Sequence, residues 1–136
     1  MKGLVIYAGL FPDHAYEVHD FYEDPLFLRL SEAVGGRIEI VHPVGLPDPY
    51  VMIVNEDGLI RGHNFNQIAS VLYGTQDHGH PVVGNVVIMK EGFVDGEPDI
   101  VGLDPEDILV VAGIILVRLC RNLCDQLTKE NEEDQQ

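Results

Sequence analysis

The stretch that decides the fold is YVMIVNEDGLIRGHNFNQIASVLYG, which runs from Tyr50 to Gly74. It begins with an apolar run rich in β-branched side chains, which predicts a strand. The segment Asn55-Glu56-Asp57-Gly58 has the residue types of a tight turn, and Leu59 to Arg61 would return as the second strand of a hairpin. Asn64 or Asn66 would then cap a short helix through NQIASVLYG. The stretch therefore predicts a hairpin followed directly by a helix.

Apolar runs on both sides of this stretch predict the rest of a sheet. Four further β-prone segments are KGLVIYA, AYEVHDFY, RIEIVHPV and PVVGNVVIMKEG. Asp24-Pro25 predicts the start of a helix that ends at Gly35-Gly36, because aspartate caps free amides and glycine suits a helix C-terminus. Gly84-Asn85 interrupts the last segment, which indicates a bulge or a close approach of two backbones.

The C-terminal sequence GLDPEDILVVAGIILVRLCRNLCDQL predicts a long helix. Its start is typical, with Asp104 and Pro105 followed by two acids at the positive end of the helix dipole. The first half is apolar nearly all round, so it needs cover on most sides. Burial within one subunit and burial against a second copy of the chain both fit this pattern. In the second case the oligomer contacts would be Leu109, Ile114, Leu116, Leu119 and Leu123.

These elements predict an α+β fold. A mixed β-sheet of about five strands would carry two short helices and a long apolar C-terminal helix. A chain of 136 residues suits one domain with a genuine core. We expect residues 1–128 to form that domain and residues 129–136 to form an acidic, disordered tail.

The charge of the chain excludes one large class of function. The formal net charge is −15, with 8 basic against 23 acidic residues. A protein with so few bases has no patch that could follow a phosphate backbone, so direct nucleic-acid binding is not expected. The longest apolar run, Ile108 to Val117, is much shorter than the roughly 20 residues that cross a bilayer. Two cysteines and an N-terminus unlike a signal peptide predict a reduced, cytoplasmic protein.

Nucleophilic catalysis has little support in the sequence. Ser31 and Ser70 both fall within predicted helices, and neither lies in a Gly-x-Ser-x-Gly turn. Cys120 and Cys124 share a hydrophobic stripe, where a thiol behaves as a small apolar group. The sequence therefore predicts a non-catalytic protein without a cofactor.

Histidines offer a candidate metal site. His78 and His80 flank Gly79 in a loop, and His63 could complete a set of ligands. Solvent-facing loop histidines are the more frequent explanation of such spacing, so we expect no bound metal. A small metal-dependent hydrolase nevertheless remains as an alternative function.

A ligand site is predicted where the helix after Asn66 begins. Free amides at a helix N-terminus can hold an anionic group, and Arg61, His63 and Asn64 lie beside them in sequence. Tyr73 could stack on a base if it lines the same cleft. The plainer interpretation is that Asn64 and Asn66 only cap the helix.

Several segments together resemble a known family. They are LVIYAG, LSEAVGGRIEIV, VMIVNEDGLIRG, NQIASVLYG, and VVGNVVIM followed by GLDPEDI, and they cover most of residues 2–108. In their order and spacing the chain resembles the domain of unknown function 3846 family, small proteins found largely in phages and other mobile elements. That family tends to carry Leu-Pro after the hairpin glycine, where this chain has His63-Asn64. The helix beyond Ile108 looks like an elaboration.

The resemblance implies an α+β fold and a mobile-element origin, and it brings no catalytic residues. We expect an accessory protein, used in counter-defence, that sequesters a nucleotide-like signalling ligand or a host defence protein. Self-association through the C-terminal helix is expected as well. A different class of function is an acidic inhibitor that imitates DNA to a DNA-binding host protein, and this alternative rests on the net charge alone.

Overall fold

The computed structural model of the protein describes residues 1–10, 15–74 and 80–134. In chain order, its elements are β1 (Lys2–Ile6), β2 (Tyr16–Asp20), α1 (Leu26–Val34), β3 (Ile38–Val41), β4 (Tyr50–Asn55), α2 (Gln67–Tyr73), β5 (Val86–Val94), β6 (Glu97–Val101) and α3 (Pro105–Asp134). The α+β class, the two short helices and the long C-terminal helix are confirmed.

The sheet is larger and more regular than the sequence predicted. Among the described residues it has six strands, with β2, β1, β5, β4 and β3 side by side and β6 paired to β5. All of these strand pairs are antiparallel, so the expectation of a mixed sheet is corrected, and the number of strands is one above the predicted five. The reason lies in β5, whose first half pairs with β1 and β4 while its second half runs on to pair with β6.

The hairpin predicted at NEDG is wrong. Strand β4 ends at Asn55, and residues 56–62 form consecutive turns instead of a returning strand. The Asn55 side chain accepts a hydrogen bond from the Asp57 amide at 2.8 Å, and this local turn leads the chain away from the sheet. The place beside β4 is taken by β5.

A hairpin does exist further along the chain, between β5 and β6. Asp95 and Gly96 form its two-residue turn, with φ values of 52° and 81°. Positive φ at both positions is the requirement of a type I′ turn, for which Asp-Gly is a preferred pair. This hairpin was not predicted from the sequence.

Helices cover both faces of the sheet. On one face, α1 packs Leu30 and Val34 against Val51, Ile53 and neighbouring apolar side chains. On the other face, α2 and α3 pack on Leu4, Ile6, Met52 and Ile88. Side chains alternate between faces along each strand, so the single sheet forms the floor of two separate cores.

The start of α3 is fixed by polar contacts to the sheet. The Asp107 carboxylate accepts hydrogen bonds from the Asp104 amide (2.8 Å), the Tyr50 hydroxyl (2.9 Å) and the Lys90 ammonium (2.7 Å). These contacts lower the pKa of Asp107, with the Lys90 contact contributing most. From this anchor α3 extends to Asp134, into the stretch that was predicted as a tail. Among the described residues, no helix is both long and apolar enough to span a membrane.

Candidate functional site

A groove opens on the α1 face because α1 does not cover the whole sheet. The helix packs chiefly against β3, β4 and β5, and the groove lies between α1 and the side of the sheet formed by β1 and β2. The space between α1 and this edge measures about 510 Å³, within the range of small-molecule sites. We call it the α1 groove, and its lining includes Tyr7, His19, Tyr22, Arg29 and Asn85.

One wall of the α1 groove carries an aromatic cluster. The antiparallel register places Gly3 opposite His19 and Val5 opposite Glu17, so Tyr7, Glu17 and His19 share one face. The Tyr7 hydroxyl lies 2.9 Å from His19 Nε2 and donates to Glu17 at 3.5 Å. Burial, and then the Glu17 carboxylate, raises the pKa of the Tyr7 phenol. This wall therefore combines flat rings with fixed polar atoms.

The opposite wall carries a cation on α1. Arg29 Nη1 contacts both carboxylate oxygens of Glu32, at 3.2 and 3.1 Å. Its guanidinium carbon lies 5.9 Å from the centre of the Tyr22 ring, an arrangement typical of a cation–π contact. Arg29 Nε is buried and has no hydrogen-bond partner among the described residues. This N–H can donate a hydrogen bond to an acceptor atom of a ligand that reaches it.

The groove continues towards His63 and Asn64. A second space of about 380 Å³ is lined by these two residues and shares Glu32, Ala33 and Asn85 with the first. A Cβ built on Gly84 would lie 2.9 Å from His63 Nδ1, and one built on Gly35 would lie 3.4 Å from His63 Cε1. Two glycines thus make room for this imidazole, and the close backbone approach predicted at Gly84 is the hydrogen bond that its amide donates to the Asn64 oxygen at 2.7 Å.

Asn66 belongs to the interior instead of the groove. It is fully buried, donates to the backbone oxygens of Ile6 (3.1 Å) and Gly84 (2.9 Å), and caps α2 by accepting from the Ala69 amide (3.1 Å). The Gln67 amide is bonded to the Gly9 oxygen. The backbone amides of Gln67 and Ala69 at the start of α2 therefore already have hydrogen-bond partners within the protein. They are not available to the anion site that was predicted at this helix N-terminus.

The remaining predicted ligand residues lie apart from one another. Arg61 is exposed in the turns after β4. Tyr73 lines a different cleft of about 280 Å³, whose lining also includes His80 and Val82. The structure brings His63 and Asn64 to one site and leaves Tyr73 in another.

The candidate metal ligands are likewise divided. His63 lines the continuation of the α1 groove and His80 lines the cleft at Tyr73, whereas His78 lies outside the described residues. Within the part of the chain that the structure describes, no group of three or more His, Cys, Asp or Glu side chains is arranged to hold a metal ion.

Comparison with known protein families identifies the family to which the chain belongs. Residues 1–112 match a family described as Domain of unknown function (DUF3846). The protein belongs to this family. No curated protein and no solved structure matches the chain.

The DUF3846 match ends inside α3, at the eighth residue of the helix. The α1 groove lies wholly within the matched region, and most of the exposed part of α3 lies beyond it. Of the predicted oligomer contacts, Leu109, Leu116 and Leu123 are 74%, 61% and 57% exposed. Ile114 and Leu119 are partly buried and pack against the core of their own chain.

Sequence reasoning missed the main wall of the groove in this DUF3846 protein. Tyr7, His19, Tyr22, Arg29 and Asn85 were not predicted as ligand contacts, since none lies in a pattern with an assigned binding role, although Tyr7 and Asn85 fall within the family segments LVIYAG and VVGNVVIM. Period-two alternation in AYEVHDFY does place Glu17 and His19 on one face, and this signal could have been used. Their meeting with Tyr7 and Arg29 depends on the β1–β2 register and on where α1 lies, which no local pattern contains.

Proposed function

We propose that this DUF3846 protein is a non-catalytic accessory protein of phages or mobile elements, and that it sequesters a nucleotide-like signalling ligand in the α1 groove. The planar part of the ligand would lie against the aromatic wall, and an anionic group would contact Arg29. By binding such a messenger, the protein would prevent it from reaching a host defence protein, which is a counter-defence function. The observation that carries the proposal is one groove with aromatic rings on one wall and a cation on the other.

The size of the groove supports a ligand of nucleotide class. Its volume of about 510 Å³ suits a small molecule, and the adjoining space at His63 and Asn64 extends it for a longer one. Histidine and tyrosine rings provide sequence-tolerant stacking surfaces for bases. The Arg29 guanidinium offers planar donors of the type that recognise phosphate.

Two acidic residues of the groove are paired with cations. Asp20 contacts the N-terminal ammonium at 2.8 Å, and Glu32 contacts Arg29. Glu17 keeps its charge, since it accepts a hydrogen bond from the Tyr7 hydroxyl and lies 3.0 Å from His19. Because Asp20 and Glu32 have cationic partners within the protein, their repulsion of an anionic ligand is weaker than the net charge of the chain suggests.

The surroundings of the serines and cysteines support binding rather than catalysis. Ser31 donates to the Gly36 oxygen at 2.6 Å, and Ser70 bonds with the Val82 backbone. Both cysteines are exposed on α3, away from the lining of the groove. None of these nucleophiles is paired with a groove histidine.

The test is calorimetry with a panel of cyclic and linear signalling nucleotides. We expect one class to bind, and Arg29→Gln to weaken that binding by about 10- to 100-fold, because a charge-assisted hydrogen bond is lost. The matched control is Arg37→Gln, since Arg37 is 72% exposed, pairs with Glu56 and Asp57, and lies outside the groove. Circular dichroism of both variants verifies folding.

Two results would contradict the proposal. One is the absence of heat with every nucleotide, together with no small molecule retained by protein purified from its host. The other is an equal loss of affinity in the Arg29 and Arg37 variants, which would indicate a nonspecific effect of charge.

A further inference from the structure

The outer side of α3 carries an apolar stripe that its own domain does not cover. The core contacts of the helix are made by the side that includes Val111 and Ile115, which are 0% and 1% exposed. A second set of small or apolar residues lies on the opposite side and faces outward. We call this set the α3 stripe, and its members are Leu109, Gly113, Leu116, Cys120, Leu123 and Leu127.

The spacing of the α3 stripe is that of a coiled coil. Successive members are four, three, four, three and four residues apart, which is the alternation of heptad core positions. Such a stripe serves no purpose on a helix that has only its own domain to pack against. Its four leucines are all more than half exposed, from 52% at Leu127 to 74% at Leu109.

When the α3 stripe is paired with a second copy running in the opposite direction, each of its small residues lies opposite a large one. If two stripes run antiparallel about Arg118, Leu109 lies opposite Leu127, Gly113 opposite Leu123, and Leu116 opposite Cys120. Every small residue then faces a leucine. A parallel pair would instead place Gly113 opposite Gly113 and Cys120 opposite Cys120, which leaves gaps in the packing.

We propose that the α3 stripe is the interface of an antiparallel homodimer, in which α3 of a second copy of this chain lies along it with these three kinds of contact. The proposal is independent of the α1 groove and of its ligand. It selects a second copy because the stripe is complementary to its own reverse, a property that an interface with an unrelated protein does not require.

The position of α3 on the domain supports this arrangement. Leu119 is the last residue of the helix that packs against the core, so the part from Cys120 to Asp134 projects beyond the domain. A short helix without tertiary contacts is marginal in water, and an antiparallel partner would cover this part with the outer side of its own first half.

The apolar area available is sufficient for a specific interface. Each copy contributes the stripe and the flanking side chains of Val110 and Val117, which are 48% and 52% exposed. Two copies together would bury on the order of 1,000 Å² or more, near the lower limit for stable protein interfaces.

The register can be tested by disulfide formation in the full-length chain. In a Cys124→Ser background, the thiol introduced by Leu116→Cys would lie opposite Cys120 of the second copy, and air oxidation should yield a covalent dimer. Cleavage by trypsin after Arg118 separates the two positions, so mass spectrometry can identify a peptide pair that links them. Without Leu116→Cys, the two Cys120 residues lie about one helical turn apart and should not link.

Sedimentation measured over a range of concentrations provides the second test. The unmodified chain should dimerise, and Leu116→Glu should raise the dimer dissociation constant by about tenfold or more without unfolding the monomer. Leu59→Glu is the matched control, because Leu59 is 52% exposed and lies outside α3. The proposal is overturned if the chain is monomeric at every concentration, if Cys120 links to Cys120, or if Leu59→Glu disrupts the dimer as strongly as Leu116→Glu.

Discussion

Asn66 shows how one buried amide can hold three parts of the fold together. Its side chain joins the end of β1, the Gly84 backbone and the first turn of α2. The carbonyl oxygens of Ile6 and Gly84 would each lose a buried donor if the amide were removed. The residue was predicted as a cap or a ligand contact, and the structure gives it a wider role as a cap that also binds β1 and the segment before β5.

Asn66→Ala should therefore lower the free energy of unfolding by about 2–4 kcal/mol, the sum of a lost cap and two unsatisfied acceptors. Asn64→Ala is the matched control, because Asn64 is exposed and its change should stay within about 0.5 kcal/mol. Urea denaturation followed by circular dichroism measures both values. Equal effects of the two variants would contradict the structural assignment.

The Asp107 contacts make the stability of the protein depend on pH. Folding lowers the pKa of this carboxyl below its ordinary value of 3.8, chiefly through the contact with Lys90. The stabilisation is thus present above about pH 4 and is lost as the pH falls through the depressed pKa. Asp107→Asn should cost about 1.5–3 kcal/mol at pH 7, and the difference from the unmodified protein should shrink below pH 4.

Denaturation curves at several pH values can measure this convergence. Asp104→Asn provides the comparison, because Asp104 contacts the same lysine at 3.3 Å but is 77% exposed, so its change should be small. A difference between the Asp107 variant and the unmodified protein that stayed constant down to pH 2 would rule out the carboxylate as its source.

Among the elements, α3 divides into two parts with different roles. Its inner contacts with the core end at Leu119, and residues 123–129 are all exposed. The first part is needed for folding, because Val111 and Ile115 fill the core between α2 and the sheet. The second part contributes little to the folded state of a single chain.

Removal of residues 122–136 should accordingly leave a folded monomer that keeps the α1 groove. At protein concentrations where the full chain is monomeric, its free energy of unfolding should change by less than about 1 kcal/mol. Ile115→Ala, by comparison, should cost about 2–5 kcal/mol, because it opens a cavity in the core. Thermal and urea unfolding measure both, and a truncated chain that failed to fold would contradict this division of α3.

The sequence predicted elements well where a local pattern determines them. The strand at Tyr50–Asn55 and the cap at Asn66 follow from apolar runs and from turn chemistry within a few residues. The two Asp-Gly pairs show the limit, because Asp57-Gly58 ends a strand while Asp95-Gly96 makes a hairpin. Asp57-Gly58 does not form a hairpin because the position beside β4 is occupied by β5, a strand far away along the chain.

At the scale of the whole molecule, the candidate site is a product of non-local packing. The α1 groove exists because α1 covers one half of the sheet and not the other. Tyr7 and Arg29 face the same space although they belong to different elements, and His63 reaches its continuation from a third. For this reason the sequence identified His63 and Asn64 near a polar helix start but could not find the aromatic wall.

The place of β5 at the centre of the sheet also has a consequence for synthesis on the ribosome. Strand β1 emerges first, yet its inner neighbour is β5, with Leu4 paired to Ile88. Until β5 has been made, the nascent chain holds an apolar strand with one open edge, which invites pairing with other chains. A product released before Val94 would lack the strand that joins the two halves of the sheet. Translation must therefore proceed through β5 before the earlier strands can reach their final partners.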